Sequence, residues 1–372
     1  MEIIIAPGAF KHSLKAHQAA SAIAAGLERA RLGAHLHICP IADGGNGTLD
    51  AFLINRGKRL NVATFDPLMR RITSAIGLLD DTAVIEMALA SGLELVERTD
   101  LDALRATTYG TGALMNAALN QGAKRMVVGL GGSATTDGGA GCLQALGVRL
   151  LDADGKDVPP GGGTLDQVRT IDVNELDPRW NDVEVIIASD VENPALGEQG
   201  AAAVFAPQKG ASSDEVAVLE ANLRHFFTLI HEQLGVDVRD VPGGGAAGAF
   251  AAGLMAFLNG KIRSGIDLIL EQVGFDDLVT TADLVITGEG RMDEQTIGGK
   301  GPIGVARRAR ERGVKTVALV GGLEADDALL HEAGVWAVLP IVDTPMPLDE
   351  ALRRAPELLE RAALRLGYFL QL

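Results

Sequence analysis

The sequence predicts an α/β fold built on parallel sheet, with a second α/β domain inserted into the first. Three observations carry that expectation. The chain has 372 residues, a length that suits two domains better than one. Short β-branched runs alternate with stretches of helical periodicity, the pattern of βαβ units. Between them lies a turn-rich middle, from about Leu143 to Asp182, that interrupts the alternation.

Each element follows from its residues. Ile3-Ile4-Ile5-Ala6 is a continuous apolar run, as expected of a strand buried on both faces. After a loop at Pro7 to Ser13, the residues Ala20, Ile23, Leu27 and Ala30 recur on one helical face, and Ser13 is placed to cap that helix. Leu36-His37-Ile38 forms the next strand and stops at Pro40. Further core strands are expected at Ala83 to Met87, Arg125 to Val128, Asp283 to Ile286, Thr316 to Val320 and Val335 to Leu339. Thr73 to Leu79 and Val183 to Ala188 read as strands outside the regular alternation. The apolar run Ala246 to Leu258 is too short to span a bilayer and reads as a buried helix. Its preceding Gly243-Gly244-Gly245 suits a turn and a ligand-facing loop equally. On this pattern, residues 1–62 with about 85–135 and 280–372 form one discontinuous domain. About 63–84 with 136–279 form the insertion.

Composition excludes several classes. The formal net charge of −16 is opposite to the basic footprint that nucleic-acid binding requires. The two cysteines, Cys39 and Cys142, form no C-x-x-C pair, and Met1-Glu2 leads straight into a strand. A cytoplasmic protein with no membrane or nucleic-acid partner is the expectation, and a homo-oligomer is left open. His35 and His37 share a strand face, but no third ligand lies near them in sequence, so the histidines are read as surface residues.

The chemistry sits in loops. Glycine makes up 46 of the residues, well above average usage of about 7%, and clusters after the strand-like runs. There it permits tight turns and close approach to a ligand. The loops are Pro7 to Lys11, Ala42 to Thr48, Thr107 to Gly112, Gly129 to Gly139, Ser189 to Pro194, Pro207 to Gly210 and Thr287 to Asp293. In a doubly wound sheet, ligands bind beyond the carboxyl ends of strands, where these loops fall. Gly129, Gly131 and Ala134, with Asp152 further on, fit a loose dinucleotide fingerprint. No G-x-x-x-x-G-K-[ST] occurs, nor the H-R-D and D-F-G elements of protein kinases. What remains is a set of carboxylates (Asp43, Asp137, Asp190, Glu289, Asp293) with Lys11, Lys209 and Arg291. Phosphoryl transfer needs these types: carboxylates to hold Mg²⁺, cations to offset charge on the transferred group, and one carboxylate to take the acceptor's proton.

In order and identity these loops resemble those of the bacterial glycerate kinase type I family. The resemblance rests on Ile5-Ala6-Pro7 with Phe10-Lys11 and Ser13-Leu14, Pro40 to Gly45, Gly129 to Gly141, Ser189 to Pro194, Phe205 to Gly210 and Thr287 to Arg291. It covers the chain to about Gly322. It implies ATP-dependent phosphorylation of D-glycerate at the 2-hydroxyl, on a Rossmann-like doubly wound domain with an inserted α/β domain and an active site in the cleft between them. The chain departs from the family's usual Pro-Asp-Ser-Phe-Lys-Gly-Ser at the first loop, where Gly8, Ala9 and His12 replace Asp, Ser and Gly.

The expected roles follow. Asp190 is the general base or orienting group and Lys11 the catalytic cation. Asp43, Lys209, Arg291 and Asn193 contact substrate. Gly131, Gly132, Ser133, Thr135 and Thr136 line the phosphates of ATP. Glu289 and Asp293 hold Mg²⁺. The rival readings are a kinase for a related small hydroxy acid, a nicotinamide-dependent hydroxy-acid dehydrogenase, and a non-catalytic descendant that only binds ligand.

Overall fold

The computed structural model describes residues 1–54, 56–297 and 301–372. The chain forms two compact units: Met1–Asp43 with Asp50–Ile54 and Ile266–Leu372, and Gly44–Leu49 with Asn55–Gly265. In chain order the strands are β1 (Glu2–Pro7), β2 (His35–Ile38), β3 (Lys58–Phe65), β4 (Arg71–Leu79), β5 (Thr82–Glu86) and β6 (Arg125–Gly129). They continue with β7 (Arg149–Leu151), β8 (Thr170–Asp172), β9 (Glu184–Ala188), β10 (Lys261–Arg263), β11 (Leu284–Met292), β12 (Lys315–Leu323) and β13 (Val335–Pro340).

The first unit is a doubly wound sheet of order β13-β12-β11-β1-β2, with every neighbouring pair parallel. Burial on both faces explains why β1 reads as an unbroken apolar run. Ile3 and Ile5 pack with Ile23, Leu27, Leu359 and Ala363 from the helices Ala16–Arg29 and Leu348–Phe369. A second cluster, containing Met292, Ala306 and Val320, brings in the helix Gly301–Glu311. Gly26 allows the first two helices to meet closely, since a Cβ there would lie 2.2 Å from the Glu360 carbonyl oxygen.

Ser13 does not cap the first helix. The helix starts at Ala16, and the Gln18 side chain accepts the Lys15 N–H at 2.9 Å. Ser13 belongs to the preceding turn, where its N–H reaches the Phe10 carbonyl and His12 adopts φ 64°.

The second unit carries a sheet of order β10-β9-β6-β5-β4-β3 and a separate β7-β8 ribbon. Strands β10, β9, β6 and β5 are parallel, while β4 and β3 close the edge in antiparallel pairs. Ile85, Val128, Ile187, Leu114 and Phe250 share one core cluster. Leu143, Leu219, Phe226 and Phe227 share another, around the helix Ser213–Leu234. Ser212 caps that helix through a capping box with Glu215.

The domain boundaries differ from those read in the sequence. The sequence pattern places about 85–135 in the first domain, yet β5 and β6 lie in the second unit's sheet. The reason is local: the Asp80-Asp81 turn joins β4 to β5 in a hairpin, and β6 then pairs with β5. A boundary at 84/85 would cut through that hairpin. Ala246–Leu258 is buried as expected, and no helix among the described residues is long and apolar enough to cross a membrane.

Candidate active site

In the first unit, the candidate residues gather at the carboxyl ends of β1, β2 and β11. The loop after β1 is seated against β11: the Gly8 N–H donates to the Gly288 carbonyl at 2.8 Å, and a Cβ on Gly290 would sit 3.2 Å from the Lys11 backbone nitrogen. Lys11 and Asp43 are exposed, whereas Glu289 and Asp293 are half-buried. Burial pushes the Glu289 carboxyl up to about 7; the nearby Asp43 and Asp293 carboxylates push the same way, and the Thr296 hydroxyl and Lys11 oppose them. Thr296 Oγ1 donates to Glu289 Oε1 at 2.8 Å. The structure therefore brings together Lys11, Asp43, Glu289 and Asp293. Arg291 is engaged at the surface, with Glu324 as its ion-pair partner and Asp293 at 3.9 Å.

The second unit builds its site around the loop after β6. Lys209 Nζ donates to Ser133 Oγ at 3.0 Å and to the Thr135 carbonyl at 2.6 Å, with the residue only 2% exposed. Desolvation pulls its ammonium down to about 7, against the pull of Asp137. Lys209 thus braces the loop instead of reaching into solvent. Asp137 is fully buried and accepts from Thr108 N–H at 2.8 Å, Thr108 Oγ1 at 2.9 Å, Thr107 Oγ1 at 3.1 Å, and the N–H groups of Gly139 and Gly141 at 3.2 Å. Burial pushes its carboxyl up, opposed by those donors, which favour the carboxylate.

A strained turn supports the same loop. Ala247, Gly248 and Ala249 have φ of 55°, 69° and 66°, and the Gly138 N–H donates to the Gly248 carbonyl at 3.0 Å. A Cβ on Gly248 would lie 2.1 Å from the Thr135 oxygen, so only glycine fits. The Gly243 and Gly245 N–H groups donate to Glu192 and Asn193 carbonyls, which makes this glycine run a structural turn.

Gly131, Gly132, Ser133, Thr135 and Thr136 occupy one loop. The Gly131 N–H reaches the Gly44 carbonyl at 3.0 Å, and Thr135 and Thr136 are fully buried. Asp190 follows β9, is half-buried, and its Oδ1 accepts the Gly265 N–H at 3.1 Å. Asn193 Nδ2 donates to the Gln199 carbonyl at 2.8 Å and so ties its own loop. The dinucleotide fingerprint does not hold together: Asp152 accepts the N–H groups of Asp154 and Lys156 in a turn that follows β7.

Sequence reasoning gave Asp137 no specific role and missed Glu86. Glu86 is 4% exposed and accepts the Gly47 and Leu49 N–H groups at 3.1 and 2.9 Å, which holds the start of the helix Thr48–Phe52. A carboxylate closing an apolar strand, Ala83-Val84-Ile85-Glu86, was the available signal.

Parallel sheets whose carboxyl-end loops are lined with glycine, hydroxyls, carboxylates and lysines define a Rossmann-like α/β enzyme built to handle anionic ligands. The Glycerate kinase family matches residues 3–371. The chain is 45% identical over 366 residues to the glycerate kinase of Bacillus subtilis (strain 168), covering 98% of this chain and 96% of that protein. It is 43% identical to the glycerate 2-kinase of Escherichia coli (strain K12), with the same coverage. A crystal structure from Salmonella typhimurium LT2, described under the name glycerate kinase 2, superposes with a TM-score of 0.87 at 41% identity, covering 100% of this chain and 98% of that one. The chain belongs to the glycerate kinase family.

Proposed function

We propose that the protein transfers the γ-phosphoryl group of ATP to the 2-hydroxyl of D-glycerate, giving 2-phosphoglycerate and ADP, in the cytoplasm. Membership of the glycerate kinase family over residues 3–371 is the observation that carries this reading. In the reaction the glycerate hydroxyl oxygen forms a bond to the γ-phosphorus as the bond to the β–γ bridging oxygen breaks. The hydroxyl proton passes to the Asp190 carboxylate, which the Gly265 N–H orients.

Lys11 offsets negative charge on the transferred group, and Asp43 orients the substrate's hydroxyls. The Gly131–Thr136 loop cradles phosphate, held in shape by Lys209, Asp137 and the turn at Gly248. Lys209 acts through the loop, as a positioning residue. Arg291 and Asn193 contribute by holding Asp293 and the Asp190 loop in place.

Glu289 and Asp293 would hold Mg²⁺. The chemistry of this donor set fits a divalent cation, because Glu289 is pushed up by burial and by the carboxylates of Asp43 and Asp293. When bound, the metal would neutralise charge on the phosphate oxygens.

The test is direct. Protein incubated with ATP, Mg²⁺ and D-glycerate should form ADP and one phosphoglycerate isomer, identified by its phosphorus spectrum as 2-phosphoglycerate. ADP formed at the same rate without a hydroxy acid would rule the reading out, and preference for another acid would redirect it.

A further inference from the structure

The amino ends of β1 and β2 lie at the other end of the first unit's sheet from the loops described above. The parallel register sets Glu2 opposite His35 and Ile4 opposite His37, which puts Glu2, His35 and His37 on one sheet face. Sequence separation hid this grouping, since 33 residues divide Glu2 from His35. Glu2 Oε2 meets His35 Nδ1 at 2.9 Å and His37 Nε2 at 2.7 Å. The two rings stand edge to face, 4.6 Å between centroids.

We propose that Glu2, His35 and His37 form a zinc site that staples the edge strand β2 to β1. One ligand atom from each residue lies within 4.8 Å of the others. Zinc bound to two imidazoles and a carboxylate at about 2.0–2.2 Å needs donor atoms about 3.3 Å apart. Glu2 Oε2 now lies a few tenths of an ångström inside that spacing from each imidazole nitrogen, and the two nitrogens lie within 4.8 Å of each other. The side chains of Glu2 and His35 are 38% and 70% exposed, which gives the ion an entry path and leaves a fourth position for water. Both imidazole nitrogens face the carboxylate, and zinc would replace the protons they now share with it. The backbone is fixed independently: Asp283 Oδ2 accepts the Glu2 N–H at 2.7 Å and pairs with the amino-terminal ammonium at 3.9 Å. Imidazole with carboxylate selects zinc, cobalt or nickel over magnesium, so this site is chemically separate from the carboxylates around Glu289.

The experiment uses untagged, chelator-stripped full-length protein. Zinc titration by calorimetry should give a 1:1 complex in the micromolar range or tighter, and cobalt(II) should give the visible absorption of a four-coordinate N/O site. His37→Gln, His35→Gln and Glu2→Gln should each weaken zinc binding by at least about tenfold, as even loss of an outer-shell partner does elsewhere. His225→Gln should leave binding unchanged, and circular dichroism should show every variant folded. Zinc should also raise the wild-type Tm and leave that of His37→Gln unmoved, because only a native site couples binding to stability. The proposal is overturned if the wild type takes up no zinc, or if uptake is equal in all three variants, leaving the trio a hydrogen-bonded clasp only.

Discussion

In the second unit the charges of the loop region are sealed in: Lys209 and Asp137 are buried, and every oxygen or nitrogen they present to the loop has a protein partner. In the first unit Lys11 and Asp43 face solvent and Glu289 is only half-buried beside two other carboxylates. The loop after β6 uses its charges to shape backbone, whereas the first unit leaves Lys11 and Asp43 exposed, and Asp190, after β9 in the second unit, is only half-buried. The two should therefore respond in opposite ways to substitution and to pH.

Asp190→Asn offers the largest effect on turnover. Asparagine keeps an oxygen for the Gly265 N–H, so the fold should survive while kcat falls on the order of 10²–10⁴-fold, with little change in KM. A kcat near wild type would remove Asp190 from the chemistry. Asp137→Ala should act through stability instead. It strands buried donors on Thr107, Thr108, Gly139 and Gly141, at a cost of about 3 kcal/mol or more in urea unfolding. Wild-type stability in that variant would erase the contrast between the sealed β6 loop and the more exposed groups.

The pH dependences should have opposite signs. Glu289 has a folded-state pKa of about 7, above its ordinary 4.5, so its contribution is full below pH 4.5 and is lost as pH rises towards 7. Lys209 is lowered from 10.5 to about 7, so its contribution is full above pH 10.5 and is lost as pH falls to 7. Tm measured across pH 4–7 should decline less in Glu289→Gln than in wild type. Added Mg²⁺ at pH 7.5 should raise the wild-type Tm and do so less in the variant. Identical profiles would place the carboxylates outside any cation site.

Smaller effects are expected in the first loop. A Cβ on Gly8 would meet the Gly288 oxygen at 3.6 Å, an ordinary contact, so the loop has room for the Asp that the family usually carries. Gly8→Asp with Ala9→Ser should lower KM for D-glycerate several-fold at saturating ATP and Mg²⁺; an unchanged KM would show that the missing carboxylate is no substrate contact. The smallest effect belongs to His12, which sits at φ 64° where the family usually has glycine. His12→Gly relieves that strain and should raise stability by about 0.5–1 kcal/mol, offset in part by greater freedom in the unfolded chain. A loss of stability would mean that the His12 side chain makes up for its backbone.

Much of this was written locally in the chain. The run Ile3-Ile4-Ile5, the helical face of Ala20, Ile23 and Leu27, and the glycine-flanked carboxylates each declare themselves within a few residues, because hydrophobic periodicity and turn chemistry are short-range signals. Family resemblance followed from the same loops. What the tertiary structure alone decided is partnership across long separations. Pairing of β4 with β5 and then β6 moved residues 85–135 into the second unit. Burial set the Lys209 ammonium against Ser133 and the Thr135 carbonyl, and the parallel register of β1 with β2 set Glu2 beside His35 and His37. Sheet order, desolvation and cross-strand register arise from chain segments meeting in space, so a residue's own neighbours in sequence carry no record of them.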